Sequence, residues 1–222
     1  MIAVYNREDF IRSCLDSVLD QTISDYEVVI IDDGSTDQTR EIVASYHDPK
    51  IRLYSNPINK GLCCSRNYGI GSSRGEFITF TDSDCIVDKT WLEQLLKIFL
   101  KDPEIMIAGG KILDPHPSNY WQLVNTGSNY IAHKSGYVRT IHGCNMCFRR
   151  DFFNTFHFDE RLKFAGDEID LCFACVRSGK KVYFNEANTK IKVIANNYGD
   201  KAYANLVNKN YSDAIGFYDK AY

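Results

Sequence analysis

Short apolar runs alternate with stretches whose apolar residues recur every three or four positions. Met1 to Tyr5 is a brief strand-like run. Phe10, Ile11, Cys14, Leu15, Val18 and Leu19 are spaced for one helix face, and Asn6 is placed to cap that helix. Glu27-Val28-Val29-Ile30-Ile31 is continuously apolar, as a strand buried on both faces requires. Residues 37–46 read as a helix, 51–54 as a strand, 61–73 as a helix despite Gly69 and Gly71, and 76–81 as a fourth strand. Asp88 then precedes a helix carrying Trp91, Leu92, Leu95, Leu96 and Phe99. Strands alternating with helices in this way predict an α/β fold, a mainly parallel sheet with right-handed crossovers.

The pattern loosens after residue 105. Ile105 to Leu113 is strand-like, with a break expected at Gly109-Gly110, and Asp114-Pro115-His116-Pro117 reads as a turn. Residues 120–137 give no clear period. Residues 138–149 look extended, 167–178 helical with Gly179 as the stop, and 181–184 and 190–194 like short strands. The tail beyond Asn196 is rich in tyrosine and is expected to be helical.

Composition narrows the class. The chain has 222 residues, enough for one sizeable core, with 44% hydrophobic and 25% charged residues. A net charge of −3 gives no electrostatic footprint for nucleic acid. No run reaches the roughly 18 apolar residues of a membrane span, and the opening residues do not read as a basic-then-apolar leader, so none is expected. The expectation is a cytoplasmic protein, with peripheral membrane association left open. Eight cysteines include the pairs Cys144-x-x-Cys147 and Cys172-x-x-Cys175. Two such pairs can hold zinc. The second pair sits in a helical run whose apolar face would contain Leu171, Cys172 and Cys175, so packing as small hydrophobes is the preferred reading. None of the five histidines is assigned as a metal ligand.

The candidate chemistry lies at strand ends. Asp82-Ser83-Asp84 follows the run Phe77 to Thr81. Two carboxylates one residue apart after a strand face the same way, a geometry suited to Mg²⁺ or Mn²⁺ that still leaves room for phosphate oxygens. Tyr5-Asn6-Arg7-Glu8 and Asp32-Asp33-Gly34-Ser35-Thr36-Asp37 end the first two predicted strands. In open α/β sheets ligands bind at that edge. Asp32 or Asp33 can accept from a nucleobase or ribose, Gly34 permits the tight turn, and Ser35, Thr36 or Asp37 can cap the next helix.

These segments, in order, resemble family 2 glycosyltransferases of the GT-A fold. The likeness continues through Asn59-Lys60-Gly61, Ser65-Arg66-Asn67-Tyr68-Gly69, Arg74-Gly75-Glu76-Phe77, Trp91-Leu92-Glu93, Gly109-Gly110, Gly143-Cys144-Asn145-Met146 and Gly166-Asp167-Glu168-Ile169-Asp170-Leu171. It covers about residues 1–185. It implies a single GT-A domain over 1–222: a nucleotide-sugar-binding half over 1–113, an acceptor-binding half over 114–195 and a tail over 196–222.

The resemblance also implies an inverting transfer of a sugar from a nucleotide-sugar donor, expected to be UDP-linked. The acceptor would be a glycan, a lipid-linked group or another hydroxyl, in cell-surface polysaccharide synthesis. Asp33 matches the base-reading aspartate, and Ala3, Tyr5 and Glu8 line the nucleotide pocket. Arg66 lies near the nucleotide, Asp82 meets the ribose or sugar, and Asp84, with Asp82, holds a divalent metal, Mn or Mg. The family usually has Glu-Asp at the start of the late helix. Here the order is Asp167-Glu168, and alignment through Gly166 and Asp170-Leu171 favours Glu168 over Asp167 as general base. A nucleotide-sugar-binding protein without turnover and a zinc-stabilised interaction domain are the alternatives. Donor sugar, acceptor and oligomeric state stay open.

Overall fold

A computed structural model describes residues 1–113, 134–162, 166–186 and 190–194. The expected turn at 114–117, the aperiodic 120–133 stretch and the tail lie outside the described residues. The described chain runs β1 (Ile2–Val4), α1 (Ile11–Leu19), β2 (Val28–Asp32), α2 (Thr39–Ala44), β3 (Ile51–Ser55), α3 (Leu62–Ser72), β4 (Phe77–Phe80), β5 (Cys85–Val87) and α4 (Trp91–Phe99). It continues through β6 (Ile105–Gly110), β7 (Ile112–Leu113), β8 (Gly136–Val138), β9 (Met146–Arg149), a 3₁₀ helix at Arg150–Asn154, α5 (Asp167–Arg177), β10 (Lys181–Asn185) and β11 (Ile191–Val193).

The first half is a parallel layer. β2 pairs in parallel with β1, Ile30 opposite Ile2, and with β3, Val28 opposite Ile51. All five β2 residues are buried, which is why that run carries no polar alternation. Two backbone bonds carry the layer across to β4: Met1 N donates to Thr79 O at 2.7 Å, and Thr81 N donates to Met1 O at 3.3 Å. This is the spacing of a parallel bridge, so β1 and β4 end at the same sheet edge. Beyond β4 the order is β9-β6-β10-β8, with β6–β10 parallel and the other pairs antiparallel. A small second sheet, β5-β11-β7, flanks the site loops.

Two apolar clusters fill the fold. One joins α1 and α4 to β1 and β2, through Ile11, Leu15, Trp91, Leu95 and Ile98. The α1 face is the predicted one; in α4 Ile98 joins the predicted Trp91, Leu95 and Phe99, while Leu96 is not part of the cluster. The other is aromatic, with Phe80 edge-on to Phe148 at 5.7 Å and to Phe158 at 5.6 Å. Among the described residues no helix is long and apolar enough to cross a membrane.

Three local expectations are corrected. Asn6 is not the cap of α1; its backbone is left-handed, with φ 50°, and its Oδ1 accepts from Thr36 N at 2.8 Å. The break in 105–113 falls at Lys111, because Gly109 and Gly110 both belong to β6. A Cβ on Gly109 would lie 2.6 Å from Asn145 O, so that strand needs glycine for close approach rather than for a bend. Residues 138–149 are not one extended run; β8 and β9 are separated by a turn in which Asn145 N donates to His142 O at 3.0 Å.

Candidate active site

Asp33 follows β2, and its backbone N donates to Val4 O at 2.8 Å, locking it to the end of β1. Its carboxylate is buried and collects three donors: Asn56 Nδ2 at 2.7 Å and Lys60 N at 3.0 Å on Oδ1, and Gly61 N at 2.8 Å on Oδ2. Asn56 Nδ2 also donates to Ser65 Oγ at 3.1 Å. Asp33 therefore organises the 56–61 loop that leads into α3. The remaining lone pairs are what it can offer a ligand. Gly34, at φ 77°, lets that loop lie against the turn, since a Cβ there would sit 2.7 Å from Ile58 C.

The first loop is laced to the second. Asn6 N donates to Ser35 Oγ at 3.0 Å, Arg7 N to Thr39 Oγ1 at 2.8 Å and Glu8 N to Asp37 Oδ2 at 3.1 Å. Glu8 Oε2 accepts from Gln38 N at 2.8 Å, so Glu8 serves the amino end of α2. Ala3 is half-buried in β1 opposite Ile31, and Tyr5 is exposed at the mouth of the strand. Asp32 is buried, and its Oδ1 accepts from Ser35 N at 3.1 Å, which makes it a turn residue.

The centre of the site is Arg66, on the second turn of α3, with only 4% of its side chain exposed. One guanidinium nitrogen, Nη1, is paired with Asp167 at the start of α5. The other, Nη2, meets Asp82 Oδ1 at 3.3 Å and Gly143 O at 3.4 Å. The rings of Phe80 and Phe158 lie 5.9 and 5.4 Å from its carbon. The two acidic motifs, far apart in sequence, thus meet on one buried cation. Glu168 joins them: a Cβ on Gly143 would lie 3.2 Å from Arg66 Nη2 and 3.6 Å from Glu168 Cδ.

Electrostatics follow from this crowding. Burial, then the charge of Asp167 and a hydrogen bond with it, push the Glu168 carboxyl up to about 8, against the pull of Arg66. Burial also pushes Asp82 up to about 6; Arg66 opposes this, while the charges of Asp84 and Asp167 add to it. Asp84 is raised by burial and held down in part by Arg7, whose Nε stands 3.9 Å from Asp84 Oδ2. Two neighbouring carboxylates that burial raises, one of them further by the other's charge, suit a divalent cation, whose charge would relieve both. Among the described residues no three His, Cys, Asp or Glu side chains are grouped to hold a metal. Mg²⁺ and Mn²⁺ fit this supply, since a hard cation accepts one or two carboxylates and completes its shell with water and phosphate oxygens.

The cysteine pairs do not meet. Cys147 lies under β4, where Thr79 Oγ1 is 3.0 Å away, and Cys172 and Cys175 are buried in the aromatic cluster below α5. Cys144 shares a hydrogen bond with Cys85 instead. The zinc alternative is therefore set aside.

Sequence reasoning missed three contributors: Arg7 beside Asp84, Asn56 beneath Asp33, and Gly143 O on Arg66. Arg7 and Asn56 do carry a signal, since both stand just past the carboxyl ends of predicted strands. Gly143 stood only within the Gly143-Cys144-Asn145-Met146 likeness, and its residue type does not signal a role that lies in its backbone carbonyl.

Comparison with known proteins agrees with this geometry. The profile described as Glycosyl transferase family 2 matches residues 1–156. A chondroitin synthase of Pasteurella multocida is 30% identical over 190 residues, 83% of this chain but 19% of that protein. The chain spans less than two thirds of the length of the curated relatives it matches. The S. aureus TarS 1-349 structure in complex with UDP superposes with a TM-score of 0.69 at 21% identity, over 87% of this chain and 59% of that one. The mannosyltransferase PcManGT from Pyrobaculum calidifontis, in complex with GDP-Man and Mn²⁺, gives 0.71 at 18% identity, over 91% and 58%. These likenesses show the fold, the GT-A arrangement of sheet and helices. The chain belongs to glycosyl transferase family 2.

Proposed function

We propose that this domain transfers a sugar from a nucleotide-sugar donor to an acceptor hydroxyl with inversion. The observation that carries the reading is the convergence of Asp82, Asp167 and Glu168 around buried Arg66, at the sheet edge where Asp33 and Asp84 also end. Asp33 would accept from the base edge, with Ala3 and Tyr5 beside the nucleotide and Glu8 shaping the loop behind them. Asp82 and Asp84 would hold Mn²⁺ or Mg²⁺, which supplies positive charge for the leaving diphosphate. The neighbours' bound UDP and GDP-Man support a nucleoside-diphosphate donor. The chondroitin synthase relative supports a glycan acceptor.

Glu168 is the base in this reading. Asp167 is committed to Arg66, whereas Glu168 combines a raised proton affinity with a place beside it. The Glu168 carboxylate takes the acceptor proton as that oxygen attacks the anomeric carbon from the face opposite the diphosphate. The new C–O bond forms as the sugar–phosphate bond breaks, and the electron pair leaves with the nucleoside diphosphate. Residues 1–113 would form the donor half and 114–195 most of the acceptor half. Eight cysteines kept as thiols fit a reducing, cytoplasmic setting. The test is a panel of UDP- and GDP-sugars with Mn²⁺, following donor cleavage with and without glycan acceptors. Cleavage that disappears in Glu168→Gln while UDP affinity persists supports the assignment. Tight UDP binding without cleavage of any donor contradicts it.

A further inference from the structure

Arg66 does more than sit near the donor. Its guanidinium presents five N–H donors in a fixed plane. Its terminal nitrogens meet both halves of the site: Nη1 faces Asp167 on the acceptor side, and Nη2 faces Asp82 Oδ1 on the donor side at 3.3 Å, with Gly143 O of the acceptor side at 3.4 Å. Phe80 and Phe158 flank it, and only 4% of the side chain reaches solvent. A guanidinium held this way cannot follow one carboxylate into solvent and leave the other. A buried cation that loses a partner carries a large desolvation penalty, so a change at one edge is felt at the other.

We propose that Arg66 is a positioning residue that couples the donor-side carboxylate Asp82 to the acceptor-side pair Asp167 and Glu168. This deepens the transferase reading and rests on it. When a donor and its cation draw on Asp82, the charge of Arg66 is left to Asp167, and the arrangement of Glu168 beside Gly143 changes with it. Occupancy of the donor pocket thereby reaches the base without any direct contact between donor and Glu168. The coupling runs both ways: if a donor drawing on Asp82 changes the pairing of Arg66 with Asp167, then weakening that pairing changes donor affinity.

A double-mutant cycle read by calorimetric titration of UDP with Mn²⁺, GDP serving as a second probe, tests this. Asp167→Asn is close in shape and lies on the acceptor side of Arg66, and the coupling predicts a loss of UDP affinity of about fivefold or more. Released from Asp167, Arg66 competes for Asp82. In the Arg66→Met background the same change at Asp167 is expected to have less than a twofold effect. Arg66→Lys, which keeps the charge but cannot span both carboxylates, is expected to behave like Arg66→Met. It also supplies the background if Arg66→Met does not fold, as judged by circular dichroism and urea midpoint. Equal fold-changes in both backgrounds, or Asp167→Asn with wild-type affinity, overturn the coupling while leaving the donor site intact. If the wild-type protein binds neither nucleotide with Mn²⁺, the donor-site reading itself fails and takes the coupling with it.

Discussion

Three glycines give a graded test of the loop that holds Asp33. Gly34 has φ 77°, and a Cβ on it would lie 2.7 to 2.9 Å from Ile58 and Asn59 backbone atoms. Gly61 has φ 97° but nothing within 4 Å of its Cβ position. Gly71, inside α3, has ordinary helical φ and equally open space. Alanine in the left-handed region costs roughly 1–2 kcal/mol, and overpacking that forces backbone to shift adds roughly 1–3 kcal/mol. Gly34→Ala should therefore lose roughly 2–5 kcal/mol and Gly61→Ala roughly 1–2 kcal/mol. Gly71→Ala should gain roughly 0.5–1 kcal/mol. Urea unfolding monitored by circular dichroism gives the three values, provided the slope with denaturant is shared. Gly34→Ala should also weaken UDP binding more than tenfold, because the displaced loop carries the Lys60 and Gly61 amides that fix Asp33. If Gly34→Ala were as stable as Gly71→Ala, the close packing of the 56–61 loop on Gly34 would be wrong, and with it the account of how Asp33 is held.

Other outcomes follow from the same geometry. Asp33→Asn turns one acceptor oxygen into a donor facing Asn56 Nδ2, Lys60 N or Gly61 N. It should cost roughly 1–3 kcal/mol of stability and narrow the preference between UDP and GDP in a competition assay. Unchanged discrimination would remove the base-reading role. Glu168 is raised to about 8, and only its carboxylate form accepts a proton, so kcat/KM for donor cleavage should climb with pH up to about 8 and then level. A flat profile from pH 6 to 8 would contradict this. The same shift makes the folded protein bind more protons than the unfolded chain between about 4.5 and about 8, so stability falls as pH rises through that window. Urea midpoints at pH 5 and pH 9 should differ less in Glu168→Gln than in the wild type.

The parallel half of the fold was legible because its signals are local. The all-apolar β2 run and the faces of α1 and α4 each state their burial in sequence. The antiparallel pairing of β9 with β4 and β6 was not, since Met146 to Arg149 reads as extended but names no partner. In the site, the acidic residues were visible by type and by position at strand ends. Arg66 was named only through the resemblance, as a residue near the nucleotide, and its organising role was not visible. Arg66 matters through a buried contact with Asp167, 101 residues away, and no periodicity reports such a distance. Asn6 misled for a related reason: the residue type suits a cap, but a neighbouring loop claimed its side chain.

The most direct test of the shared donor pocket is calorimetric titration of UDP into the wild-type protein and Asp84→Ala, each with and without Mn²⁺. Wild-type binding should tighten markedly with Mn²⁺, and that gain should vanish in Asp84→Ala while its urea midpoint stays near wild type. UDP binding that ignores Mn²⁺, or a full Mn²⁺ response in Asp84→Ala, would contradict the account.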